Sequence, residues 1–280
     1  MLLMLDITID RIVDLALSED LDSGDLTTES CVAEDASAVA HAVARNELVV
    51  CGGRVFQRVF ARVDPTVKVT IHERDGALAT PKGKLWTATG SARSILMAER
   101  TALNLVQRMC GIATMTRSYV LALPKGSKTR ITDTRKTTPG LRVLERYAVR
   151  MGGGHNHRDN LGSAVLIKDN HIVAAGGVAE AISRARARAP HTSKIECEVD
   201  SLEQLDVALQ AGADIVLLDN MSTALVSEAI TRTRGRAILE ASGGITKERI
   251  KELGALGVDV ISAGALTHSV IASDIGLDFE

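Results

Sequence analysis

The sequence predicts an α/β protein whose larger, C-terminal part is built from repeated β-α units on a parallel sheet. Two observations carry this. From Thr129 onward, short apolar runs of strand length alternate with amphipathic stretches of helix length, and glycine follows the helices, as at Gly212-Ala213 and Gly257-Val258, where a C-terminal cap is expected. Each strand also ends on charged, small or hydrogen-bonding residues: Asp133, Lys168, Glu198, Asp219, Ser242-Gly243-Gly244 and Ala263-Gly264. Parallel β/α barrels place their chemistry at the carboxyl ends of strands, so these six ends point to one site. A full barrel has eight units in roughly 250 residues. Six units leave a short, incomplete barrel and an open doubly wound sheet both standing.

The elements follow in order. Ile7, Ile12, Val13 and Leu17 have helical spacing. The stretch 38–50 is rich in Val and Ala with partial alternation, and predicts a strand; Val67 to Ile71 alternates cleanly, and Gly83 to Gly90 is a further strand. A long helix is expected from Ser91 to Arg108, capped by Ser91 or Ser94, with Ile95, Leu96, Leu103, Leu105 and Val106 among its apolar positions. The later strands are expected at 130–133, 164–168, 194–199, 214–219, 237–242 and 259–263. The helices between them fall at 140–150, 178–189, 202–211, 223–233 and 247–256.

Composition narrows the function classes. With 280 residues the chain accommodates one large α/β domain or two smaller ones. Hydrophobic residues make up 45% and aromatics only 2%, so the core is built from Ala, Val, Leu and Ile, and base-stacking platforms for single-stranded nucleic acid are not expected. A net charge of −2 provides no basic field for DNA or RNA. Cys31, Cys51, Cys110 and Cys197 are irregularly spaced with no C-x-x-C pair, which predicts reduced thiols in a cytoplasmic protein rather than disulfides or a zinc cage. The start, MLLMLDITIDRIVD, lacks a basic n-region and a small-residue cleavage site, so no signal peptide is expected, and no apolar run is long enough to span a bilayer.

The densest chemistry lies between Thr132 and His171. Arg135, Lys136, Arg158 and Lys168 cluster at strand ends beside glycines and histidines. One such cation would be a solvated surface charge; four together suit carboxylates and phosphates, arginine bidentately and lysine as a point charge. Glu198 and Asp219 end apolar strands, where acids hold a divalent cation through water or orient sugar hydroxyls; helix capping falls better to Asp200 or Ser201. Ser242-Gly243-Gly244 and Ala263-Gly264-Ala265 follow the last two strands, where backbone N–H groups form phosphate sites in barrels. His155, His157 and His171 suggest a metal, but the H-x-H follows a helix and three glycines instead of opening a strand, which favours an anion-contacting or structural role. Lys168 alone is also compatible with a Schiff-base lysine.

Several segments together resemble a known family. They are EDLDSGDLTT, ERTALNLVQRMCGIAT, DTRKTTPGLRVLERYAVRMGGGHNHR, LIKDNHI, ECEVDSLEQLD, IVLLDN, EASGGI and GALTHSVIASDIGLDF. Their ordered set resembles the decarboxylating quinolinate phosphoribosyltransferases, also called nicotinate-nucleotide pyrophosphorylases, nearly end to end. The resemblance implies an N-terminal α/β sandwich domain over residues 1–111, rejoined by the tail 269–280, and a six-stranded open α/β barrel over 112–268. It implies a cytoplasmic enzyme of NAD biosynthesis, with neither nucleic acid nor membrane as partner. The enzyme would transfer phosphoribosyl from 5-phosphoribosyl 1-pyrophosphate to quinolinate, giving nicotinate mononucleotide, pyrophosphate and CO2. The cofactor would be Mg2+, with no organic cofactor.

The resemblance also assigns residues. Thr134, Arg135, Lys136, His157, Arg158 and Lys168 would bind the quinolinate carboxylates and the phosphates. Glu198 and Asp219 would hold the ribose and magnesium, directly or through water. Ser242, Gly243, Gly244, Ala263, Gly264 and Ala265 would cradle the 5′-phosphate. Lys136, Lys168, Glu198 and Asp219 would form the catalytic set. The enzyme would be a homodimer or a higher assembly, with Arg100 reaching the site of the other subunit. Ser163 departs from the pattern, which leads one to expect an acid there. Three alternatives are a phosphoribosyltransferase-like protein of molybdate operons, a Schiff-base barrel lyase using Lys168, and a non-catalytic anion-binding protein.

Overall fold

The structure is a computed structural model that describes residues 6–280; the expectation about a signal peptide bears chiefly on residues 1–5, which lie outside the described residues. In chain order the elements begin with α1 (Asp6–Leu21), α2 (Leu26–Cys31), β1 (Ser37–Ala44), β2 (Leu48–Val49), α3 (Gly53–Val63), β3 (Lys68–Ile71), β4 (Leu78–Ala79), β5 (Lys84–Ser91) and α4 (Ala92–Val120). They continue with β6 (Arg130–Thr132), α5 (Arg142–Met151), β7 (Val165–Ile167), α6 (Asp169–Ala175), α7 (Val178–Arg188), β8 (Ile195–Val199), α8 (Leu202–Gln210), β9 (Ile215–Asp219) and α9 (Thr223–Thr233). The last are β10 (Ile238–Ser242), α10 (Lys247–Leu256), β11 (Val260–Ser262), α11 (Ala265–His268) and β12 (Ile275–Phe279). Among the described residues, no helix is long and apolar enough to cross a membrane.

The chain divides into two compact units: one of Met1–Arg117, Thr137–Gly153 and Leu266–Glu280, the other of Ser118–Lys136 and Gly154–Ala265. The first unit carries an antiparallel sheet of order β12-β1-β5-β3 and a small β2-β4 pair. The last strand returns to the first, with Ala40 opposite Phe279 and Ala44 opposite Ile275. Helix α3 is absent from the elements the sequence pattern predicts. It buries Val55, Phe56, Val59 and Phe60, and Phe56 stacks 5.0 Å from Trp86. Helix α1 buries only Ile9 and Val13 and is aligned on α3 by three ion pairs one turn apart, Asp6–Arg54 at 2.7 Å, Asp10–Arg58 at 2.7 Å and Asp14–Arg62 at 2.6 Å. Exposed pairs of this kind contribute little energy each, so the ladder fixes register more than stability.

Helix α4 runs twelve residues past its expected end at Arg108, through Gly111. One glycine costs a helix only about 1 kcal/mol relative to alanine. Burial of Met109, Cys110, Ile112 and Ala113 outweighs it. At the C-terminus of α5, Gly152 lies against α4: a Cβ there would sit 2.5 Å from the Ala113 carbonyl oxygen and 2.5 Å from Thr116 Cβ.

The second unit holds a six-stranded parallel sheet of order β6-β11-β10-β9-β8-β7. Its terminal strands β6 and β7 are not paired with each other, so the sheet is open. All six strands fall within a residue of their expected bounds, because each is a short apolar run closed by polar residues. Side chains alternate across a strand. Cys197, Val199, Val216, Leu218, Leu239, Ala241 and Ile261 are buried on one face, as are Leu205, Ala208, Val226, Ala229, Ile250 and Leu253 of the helices. On the other face stand Glu196, Glu198, Leu217, Asp219, Glu240 and Ser242, since Leu217 is in register with both Glu198 and Glu240. One face of this sheet is therefore largely polar.

Gly152→Ala should cost about 1–3 kcal/mol of stability through overpacking. Denaturant unfolding measures it, and an unchanged midpoint would contradict the close approach of α4 and α5.

Candidate active site

Asp133, just past β6, is fully buried. Its Oδ1 accepts the His157 backbone N–H at 2.7 Å and its Oδ2 accepts Asn156 Nδ2 at 2.6 Å. The His155 N–H donates to the Ile131 carbonyl at 2.8 Å, so the segment after the three glycines runs along β6 as a parallel bridge. His155 is thereby a backbone partner of the sheet with an exposed ring. Thr134 Oγ1 accepts the Lys136 N–H at 3.1 Å and shapes the turn that carries Arg135 and Lys136. Arg158 Nη1 donates to the Ala164 carbonyl at 3.1 Å. Burial, and then the neighbouring Arg135 guanidinium, hold Arg158 below the usual arginine range. Two guanidiniums kept within each other's field form a place for an anion.

Lys168 follows β7 and its ammonium is paired with the Glu198 carboxylate at the end of β8. The Lys168 N–H donates to His171 Nδ1 at 2.9 Å, so His171 caps helix α6. Ser201 caps α8 by accepting the Gln204 N–H at 3.4 Å, which leaves Glu198 free of capping duty. Asp219 ends β9 beside Asn220, whose φ is +52° and whose Nδ2 donates to Asp219 Oδ2 at 3.1 Å. Gly243, at φ +89°, leaves room for that side chain: a Cβ there would fall 2.1 Å from Asn220 Oδ1. Ser242 Oγ donates to the Ser262 carbonyl at 3.5 Å, and the Ala263 N–H donates to the Thr132 carbonyl at 3.0 Å, so the glycine loops after β10 and β11 are tied to adjacent strands. Ser163, the departure noted above, accepts the N–H groups of Asp159 and Asn160 at 3.0 and 3.2 Å, closing the loop without an acid. Arg100 is exposed on α4, in the other unit.

The structure adds two residues that the sequence reading missed. Glu196 and Glu240 are nearly buried, and both face His157, whose Nε2 lies 3.2 Å from Glu196 Oε2 and 3.5 Å from Glu240 Oε1. Each stands two residues before a residue that was singled out, Glu198 or Ser242, so the two-residue period of a strand was the available signal. Burial, and then the charge of Glu196, push the Glu240 carboxyl up to about 7, against the pull of His157, Ser262 and Lys168.

Comparison with known proteins agrees with this geometry. Residues 112–278 match the family model described as "Quinolinate phosphoribosyl transferase, C-terminal domain", and residues 25–110 match its N-terminal counterpart. The chain belongs to this family. It is 44% identical, over 93% of its length and 89% of the relative's, to a protein of Bacillus subtilis named probable nicotinate-nucleotide pyrophosphorylase (carboxylating). It is 45% identical to the Mycobacterium leprae protein named nicotinate-nucleotide pyrophosphorylase (carboxylating), over 94% of each chain. The solved nicotinate-nucleotide pyrophosphorylase of Francisella tularensis superposes with a TM-score of 0.94 at 38% identity, covering 99% of this chain and 98% of that one.

Glu240 binds its proton more tightly folded than unfolded, where a glutamate titrates near 4.5. The stability it contributes is complete at low pH and declines as pH rises toward its folded value. Glu240→Gln carries no such proton, so its stability relative to wild type should improve steadily from about pH 5 to about pH 8. Parallel denaturation curves across that range would show no trend if Glu240 titrated like an exposed acid.

Proposed function

We propose that this chain transfers phosphoribosyl from 5-phosphoribosyl 1-pyrophosphate to quinolinate with loss of CO2, the activity its decarboxylating relatives are named for. The observation that carries this reading is the Lys168–Glu198 ion pair at the strand ends, with Asp219 ending the adjacent strand and Arg135 and Arg158 close enough to feel each other's charge. A dicarboxylate and a pyrophosphate need several cations, while a ribose needs acceptors for its hydroxyls.

In this reading Arg135, Arg158, Lys136 and Lys168 bind and orient the carboxylates and the pyrophosphate, with Thr134 setting the turn. The N–H groups of Gly243, Gly244, Gly264 and Ala265, with Ser242 and Ala263, hold the 5′-phosphate. Glu198 and Asp219 sit at the ends of adjacent strands on one face, an all-oxygen donor set that suits magnesium, which keeps waters and takes phosphate oxygens. When bound there, magnesium would offset charge on the departing pyrophosphate. The C1–O bond of the donor breaks, C1 gains positive character, and the pyridine nitrogen attacks it. Glu198 and Asp219 then face a carbon that is electron-poor, and the cations face a leaving group that gains charge. In the N-ribosylated ring the 2-carboxylate leaves as CO2, its electron pair stays on C2, and a proton takes it up.

Lys168 is engaged by Glu198, an arrangement for charge, whereas imine chemistry requires a neutral amine. That favours transfer over a Schiff-base lyase. We further propose that the enzyme works as a homodimer in which the exposed Arg100 completes the site of the other subunit.

Release of CO2 from quinolinate, the phosphoribosyl donor and magnesium, with nicotinate as control, tests the activity; release that does not depend on quinolinate would sink it. Arg135→Ala and Lys168→Ala should each lower turnover on the order of a hundredfold or more while remaining folded. Near-wild-type rates in either would remove that residue from the site. Mixing Arg100→Ala with Lys168→Ala subunits should restore activity that neither has alone, since one site of each heterodimer is intact. Absence of rescue in verified heterodimers would argue that Arg100 acts within its own chain.

A further inference from the structure

Arg135 and Arg158 lie on segments far apart in the chain, yet each stands in the other's field. Two guanidiniums repel until an anion lies between them, so something in the fold must hold their segments together. The parallel bridge between Thr132 and His155 does part of this. The His155 N–H donates to the Ile131 carbonyl at 2.8 Å, and the Asp133 N–H donates to the His155 carbonyl at 3.3 Å. Past His155 the hold passes to a side chain. Asp133 is fully buried, two residues before Arg135. Its Oδ1 accepts the His157 backbone N–H at 2.7 Å, and its Oδ2 accepts Asn156 Nδ2 at 2.6 Å. One residue is thus bonded to His155, Asn156 and His157, the three residues that lead into Arg158.

The chemistry of the group fits the task. An ionised carboxylate has acceptors on both oxygens and no donor, and here each oxygen meets a donor. A buried carboxylate is tolerated on those terms, and its bonds are stronger than those of a neutral acceptor. The Arg158 side chain is fixed further out, where Nη1 donates to the Ala164 carbonyl at 3.1 Å. We infer that Asp133 is a positioning residue: it clasps the His157 amide and the Asn156 side chain, and so sets the direction in which His157 and Arg158 leave the sheet to meet an anion beside Arg135. Enclosed as it is, Asp133 acts through these residues. The inference rests on the reading of Arg135 and Arg158 as anion-binding residues given above.

Kinetics and amide exchange on the full chain test it. Asp133→Ala should raise KM for quinolinate about tenfold, with KM for the phosphoribosyl donor within about threefold of wild type, because the glycine loops, Glu198 and Asp219 hold most of the donor. Asp133→Asn keeps an acceptor for the His157 N–H, and its amide nitrogen meets the Asn156 oxygen once that side chain turns over, so it should recover most of the loss. A quinolinate KM unchanged in Asp133→Ala, an equal rise for both substrates, or an Asn variant as impaired as a folded Ala variant overturns the inference. A role in stability alone would lower the unfolding midpoint of Asp133→Ala and leave both KM values in place. If Asp133→Ala does not fold, Asn156→Ala decides: loss of one donor should raise KM for quinolinate about fivefold, and a wild-type value overturns the clasp. In wild-type protein labelled with 15N-histidine, the His157 amide, assigned by its loss in His157→Gln, should exchange with solvent at least about a hundredfold more slowly than an open amide. Unprotected exchange overturns the clasp. A wild-type protein that releases no CO2 from quinolinate refutes the proposed function alone, and the amide exchange still decides whether Asp133 holds this segment.

Discussion

The Asp133 carboxylate organises the chemistry of the second unit. It is fully buried at the end of β6, and it accepts hydrogen bonds from a segment more than twenty residues later in the chain. A carboxylate withdrawn from water is tolerable only when donors surround it. The His157 amide and the Asn156 side chain are those donors, so the energetic need of one acid brings the stretch containing Arg135 and the stretch containing Arg158 together. The mutual field of the two guanidiniums is a consequence.

The same logic extends across the sheet. An open parallel sheet with helices on one face would ordinarily bury apolar residues on the other. Here Glu196, Glu198, Asp219 and Glu240 stand on that face, and the pairs Lys168–Glu198 and His157–Glu196 offset them. Glu240 is the least well satisfied, and its carboxyl retains a proton to about neutral pH. Polar groups on central strands are held more rigidly than groups on loops, which suits the proposed binding of two anionic substrates. Asn220 shows the cost of such placement: its left-handed backbone is uncommon for a residue other than glycine, and its side chain lies where only a residue without a Cβ at 243 leaves it room.

Much of this was legible in the chain. The six parallel strands and helices α9 and α10 were readable because apolar runs of strand length and amphipathic helical stretches alternate without interruption. The strand-end rule found Lys168, Glu198, Asp219 and the glycine loops. Helix α3 escaped although Val55, Phe56, Val59 and Phe60 have helical spacing, and the stretch 38–50 divides into β1 and β2 at a turn that its Val- and Ala-rich composition conceals. His171 resembled a ligand until its bond to the Lys168 amide showed it to be a cap. Glu196 and Glu240 lay one strand period before residues already chosen, but a strand's period alone does not say which face is turned toward water.

The sequence by itself determined the six parallel strands and the longer helices of the second unit, though not the short α6, together with the clustering of cations and acids at strand ends and a motif set specific enough to name a family. Those are local properties: periodicity, capping and residue order survive in a linear text. Only the tertiary structure decided that Asp133 buries its charge against the His157 segment, that Nδ1 of His157 is occupied by an amide while Nε2 faces two glutamates, and that Asn220 and Gly243 fit together. Each of these joins residues roughly twenty to eighty positions apart, or turns on which ring atom meets which donor. Burial and hydrogen-bond direction are set by neighbours in space, and the order of residues along the chain does not specify them.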